Sequence, residues 1–63
     1  MTRLHDVRVD RGITQAELAE RAGVSLRTLQ DYEQGSKDLN RAAAETVVRI
    51  ARALCVRVED LVG

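Results

Sequence analysis

Apolar residues recur along this chain at helical spacing and nowhere alternate with polar ones over a useful length. Leu4 and Val7, beside the apolar stem of Arg8, predict a first helix over roughly 2–11 that ends at Gly12. Ile13 follows as an apolar residue able to staple the next helix. Leu18, Ala19 and Ala22 then share one face of a second helix, about 15–22. Thr14 is placed to cap it, Glu17 three residues on completes a capping box, and Gly23 can take the positive φ that stops it. Ser25 can cap a third helix, about 26–34, with Leu29, Tyr32 and Glu33 inward and Gly35 after its end. A polar loop over 36–39 leads to a longer fourth helix, capped by Asn40 or Asp38 and ending near Leu54. Its buried stripe reads Ala43, Val47, Ile50, Ala51 and Leu54. Val58, Leu61 and Val62 suggest a fifth helix of about one turn.

This pattern predicts an all-α fold: one compact domain of five helices over residues 1–63. The second and third helices are too short to be stable alone, so their meaning lies in how they pack. Two short helices across a tight turn are the arrangement that puts a helix into a DNA groove. With no Trp, Phe or Pro, and Tyr32 as the only aromatic, the core must be aliphatic and thin. A chain of this length buries only about 60% of the surface its unfolded form exposes, so dimerisation is a natural supplement.

Charge complicates that picture. Ten Lys and Arg balance ten Asp and Glu, and a net charge of zero does not advertise a polyanionic partner. The single cysteine allows no internal disulfide, which fits a reducing cytoplasm, and no apolar run approaches the ~18 residues of a membrane span. One His, one Cys and no glycine-rich phosphate loop form no catalytic constellation, so neither enzyme activity, cofactor nor metal is expected. His5 reads as a surface residue, Tyr32 as core packing with its hydroxyl at the edge, and Cys55 as a small buried hydrophobe.

The spacing Leu4-x-x-Val7-Arg8-x-x-x-Gly12-Ile13-Thr14-Gln15-x-x-Leu18-Ala19-x-x-Ala22-Gly23-Val24-Ser25 resembles the lambda-repressor-like helix-turn-helix family, the Xre/Cro type. Leu29-x-x-Tyr32-Glu33-x-Gly35 continues it, and Ile50-Ala51-Arg52-Ala53-Leu54 with Val58-Glu59-Asp60-Leu61 resembles its C-terminal end. The resemblance implies a five-helix domain, sequence-specific binding of double-stranded DNA, a role in transcription, most often repression, and a homodimer. It places Gln15 at a phosphate-contacting position and pairs Arg8 with Glu33 as an ion pair tying the first helix to the third. It makes Ala19 the small residue that lets the second and third helices approach. It turns Ser25, Leu26, Arg27, Thr28, Asp31 and Gln34 toward the groove. Three departures stand out. Cys55 sits where the family commonly has glycine, so a left-handed cap there would carry a Cβ penalty. The stretch from Gly35 to Glu45 is about three residues longer than usual and lacks the usual proline, which should lengthen the loop or add about one turn to the fourth helix. Asp31 lies on the expected DNA face, and across 14–37 Glu17, Glu20, Asp31 and Glu33 outnumber Arg21, Arg27 and Lys37.

On the third helix Arg27 is the candidate reader of guanine O6 and N7, with Asp31 at i+4 placed to orient it or to accept from cytosine N4. The plainer reading is a solvated face with a surface ion pair worth about 0.3–0.5 kcal/mol. Thr14, Gln15, Lys37 and Arg41 are candidate phosphate contacts. Val48, Arg52, Val56 and Val62 are candidate contacts of a two-fold dimer reading an inverted repeat. Two further readings fit the same shape: an antitoxin that binds both its operator and a toxin, and a protein-interaction module that no longer binds DNA.

Overall fold

A computed structural model describes residues 2–62. Four α-helices carry the fold: α1 (Arg3–Asp10), α2 (Gln15–Ala22), α3 (Leu26–Gln34) and α4 (Ala44–Leu54). Single 3-10 turns stand at Leu39–Arg41 and Val58–Asp60, and no strand occurs among the described residues. Local chemistry sets most of these ends. The hydroxyls of Thr2, Thr14 and Ser25 accept the N–H three residues on, capping α1, α2 and α3. At Thr14 the Glu17 carboxylate answers by accepting the Thr14 N–H at 3.2 Å. Gly23 and Gly35 end α2 and α3 at φ 70° and 87°, where a side chain would be strained.

Leu4, Leu18, Leu29, Ile50 and Leu54 form the center of the core, each under 2% exposed. Ala19, Ala22, Leu39, Val47, Ala51 and Leu61 close around them. α2 lies in the middle, packed on α3 and on α4, while α1 packs on α3. Ala19 and Ala22 face this junction, and their lack of bulk is what allows the close approach. Val7, Ile13, Val24 and Tyr32 pack partly buried at the core's margin.

Three expectations need correction at the C-terminal half. The fourth helix does not begin after Asn40 or Asp38. The Asp38 carboxylate accepts the Asn40 N–H at 2.9 Å and caps the 3-10 turn instead, and extended backbone at Ala42 and Ala43 separates that turn from α4. The three extra residues therefore lengthen the connection. Ala43, expected in the buried stripe, is exposed because it sits outside the helix, whereas Leu39, assigned to a polar loop, is buried in the core. The fifth helix is only the 3-10 turn at Val58–Asp60, fastened by the Arg57 N–H donating to Asp60 Oδ2 at 3.0 Å. That hydrogen bond, with the Arg57 guanidinium adding to it, holds the Asp60 carboxyl below the usual carboxylate range.

Cys55 is not buried. It caps α4 in the left-handed conformation, φ 59° and ψ 40°, with its N–H donating to Ala51 and Arg52 carbonyls, and this geometry turns the side chain to solvent. It is the one described non-glycine residue with positive φ. Cys55→Gly should relieve the Cβ strain and stabilise the fold by about 1 kcal/mol, raising Tm by roughly 4–8 °C. A melting curve that is unchanged or shifted down would show that the thiol's surroundings offset the strain.

Candidate nucleic-acid interface

α3 is held against the body through its buried side. Glu33 is 0% exposed, and its carboxylate receives Arg8 Nε at 2.7 Å and Arg8 Nη2 at 3.0 Å. Arg8 also donates from Nη1 to the Ile13 carbonyl at 2.8 Å, so one guanidinium joins α1, the α1–α2 turn and α3. The Thr2 hydroxyl, while capping α1, donates to the Glu33 carbonyl at 3.0 Å. With this side fixed, the opposite side of α3 is presented outward in one orientation.

That outward side carries Arg27 and Gln34, and Leu26 is exposed at the helix's first residue. The Arg27 side chain is 84% exposed, and its Nε donates to Asp31 Oδ1 at 3.4 Å. The Asp31 side chain is less exposed than its wheel position suggested, at 19%. Ser25 and Thr28 spend their hydroxyls on each other: Ser25 Oγ donates to Thr28 Oγ1 at 2.8 Å and accepts the Thr28 N–H at 3.1 Å. Gln34, Lys37 and Arg41 are exposed, the last two along the connection after α3.

The start of α2 adjoins this surface. Gln15, its first residue, is half-buried and turned inward: its amide N–H donates to Glu33 Oε1 at 3.4 Å, and its carbonyl accepts from Gln30 Nε2 at 3.5 Å. The side chain expected to meet phosphate thus links the buried ion pair to α3. The backbone N–H groups of Gln15 and Ala16 remain as the open end of the helix, since those of Glu17 and Leu18 are taken by Thr14. Hydrogen bonds from the Thr14 backbone and hydroxyl, with a smaller pull from Arg21, hold the Glu17 carboxyl below the usual range. Helical periodicity puts Gln30 outward with Arg27, Asp31 and Gln34, but it is half-buried against Gln15. Its place three residues before Glu33, on the same side of α3, was the available signal.

The acidic excess over 14–37 disappears with one residue. Glu33 is buried on Arg8, which leaves Glu17, Glu20 and Asp31 against Arg21, Arg27 and Lys37, with Glu17 and Glu20 exposed and Asp31 facing Arg27.

Of the candidate dimer contacts, Val48 and Val62 come together. They line one groove of about 280 Å³ with Leu39, Ala42, Ala44, Val47 and Val58. Val56 packs against the core instead, and Arg52 is exposed on α4. His5, expected at the surface, has a side chain 26% exposed and contacts Asp6 at 3.2 Å. No group of three or more metal-ligating side chains occurs among the described residues, and no described helix is long and apolar enough to cross a membrane. Residues 4–61 match the family described as Helix-turn-helix. No curated protein and no solved structure matches the chain.

Proposed function

The chain belongs to the lambda-repressor-like, Xre-type helix-turn-helix family, a family of DNA-binding transcription regulators and not of enzymes, and from that footing we propose that it is a repressor acting as a homodimer on an inverted repeat. The observation that carries the reading is the exposure of Arg27 on the first turn of α3, opposite the side that Glu33 locks to the body. The N-terminal turn of a recognition helix is the part that meets base edges. In this reading Arg27 takes guanine O6 and N7, with Leu26, Asp31 and Gln34 around it. Ser25 and Thr28 stand at the groove's rim.

Phosphates on the flanking backbone would meet the open N–H groups of Gln15 and Ala16, the Thr14 hydroxyl, Lys37 and Arg41. The Gln15 side chain would reach a phosphate only with the N–H that Glu33 does not use. A net charge of zero limits non-specific attraction, so affinity would depend more on base contacts than in a strongly basic reader. The groove between Val48 and Val62 is where a second copy would add apolar burial to a thin core, with Arg52 one turn beyond Val48 on α4. Two copies would set their α3 helices in successive major grooves about 34–36 Å apart.

Selection of bound duplexes from a random pool, followed by a salt titration, tests the reading. A reader should enrich an inverted repeat, bind it with two chains per duplex in sedimentation, and lose affinity with salt at about 0.9 log unit per phosphate neutralised. No enrichment and a flat salt response would assign the surface to protein recognition instead.

A further inference from the structure

Leu26 is not among the apolar residues that pack into or against the core. Only two large apolar side chains are markedly exposed among the described residues: Val9 on α1, outside the helix-turn-helix, and Leu26, 43% exposed. Leu26 is the first residue of α3, directly after the Ser25 cap and directly before Arg27. The residues three and seven places on, Leu29 and Glu33, are both 0% exposed, so Leu26 overhangs the edge of the buried side. Gln30, one turn further along the same flank, touches Gln15 at the start of α2. Leu26 therefore stands exposed on the first turn of α3, next to Arg27 in the chain. A leucine in that position has no hydrogen bond to offer a base edge. The apolar group exposed on base edges in the major groove is the C5-methyl of thymine.

We infer that Leu26 is a specificity-determining residue that selects thymine through its methyl group, next to the base pair taken by Arg27. The inference rests on the DNA-reading function proposed above. It adds that one position of each half-site is chosen by apolar contact and not by hydrogen bonding. Discrimination there is between a methylated and an unmethylated C5, which separates thymine from uracil although the two pair identically. A 5-methylcytosine at that position should be accepted in the same pocket of contact better than cytosine.

The test uses the duplex enriched from the random pool, remade with uracil replacing thymine at one position at a time. The native chain should bind the duplex with the critical uracil about fourfold more weakly, the worth of one buried methyl group. The symmetry-related thymine of the other half-site should behave alike, and replacement of thymines outside these two positions should leave affinity unchanged. Leu26→Ala should bind the thymine duplex more weakly and no longer distinguish thymine from uracil there, while keeping the native helical circular dichroism at the temperature of the titration. Uniform indifference of the native chain to uracil, or a loss that persists undiminished in Leu26→Ala, overturns the methyl contact and leaves DNA reading in place. Failure to enrich any duplex overturns both.

Discussion

Glu33→Ala should leave the chain largely unfolded at 37 °C. Glu33 is fully buried and meets Arg8 through two hydrogen bonds, with Gln15 as a third donor. Removing one member of such a pair strands the other: the Arg8 side chain, only 12% exposed, would keep its charge with no carboxylate to face. Loss of one partner of a buried pair costs about 3–5 kcal/mol. A 63-residue chain is expected to have roughly 3–9 kcal/mol in total, so the loss takes from about a third to all of it, and the thin aliphatic core puts this chain toward the low end. Urea unfolding followed by helical circular dichroism measures this directly, and a change below about 1 kcal/mol would show that water reaches Arg8 freely. Replacing both partners, Arg8→Met with Glu33→Leu, should recover much of the stability, because neither charge then has to be desolvated. That double variant should still lose DNA affinity. Gln15 and the Ile13 carbonyl would lose the partners that set the start of α2 against α3.

The parts of this fold that were legible in the sequence are those decided within a few residues. Thr14 with Glu17, Ser25, Gly23 and Gly35 bracket α2 and α3, and each acts on its own turn of backbone, so both helices were readable with their observed bounds. The left-handed cap at Cys55 was readable as a strained position for the same reason. What the sequence did not disclose depends on partners far along the chain. Asp38 could cap an α-helix or a 3-10 turn equally well. The choice goes with the burial of Leu39 in a core built from the other helices, and that burial has no local signature. Cys55 was misplaced because an apolar residue type suggested burial, whereas the cap geometry sets its direction. At the interface, the exposed Arg27 followed from helical periodicity, but the inward turn of Gln15 toward Glu33 and Gln30 joins residues 18 and 15 positions apart. The acidic look of the segment misled because the count over 14–37 left out Arg8, the partner that the family resemblance already gave to Glu33.

Arg27→Ala should abolish discrimination between the selected duplex and random DNA while leaving the fold intact. The side chain is 84% exposed, and its pair with Asp31 at 3.4 Å is an i,i+4 surface contact worth about 0.3–0.5 kcal/mol, too little to matter for folding. Asp31 takes only Nε, which leaves the terminal nitrogens of the guanidinium for a guanine edge. A two-pronged contact of this kind is worth about 1–3 kcal/mol of discrimination, or about five- to 150-fold per half-site. Because a dimer makes the contact twice, the whole ratio of specific to random binding is within reach of this one substitution. Arg27→Lys separates base reading from charge. It keeps the positive charge and so the affinity for random duplex, but a lysine lacks the planar fork and should not restore the preference. Titrations of the three proteins against selected and random duplex at one salt concentration give the answer. Equal discrimination by Arg27→Ala and the native chain would mean that the exposed side of α3 does not face the bases. In that case Asp31, now left without its arginine, would be the first group to examine as the contact of a protein partner.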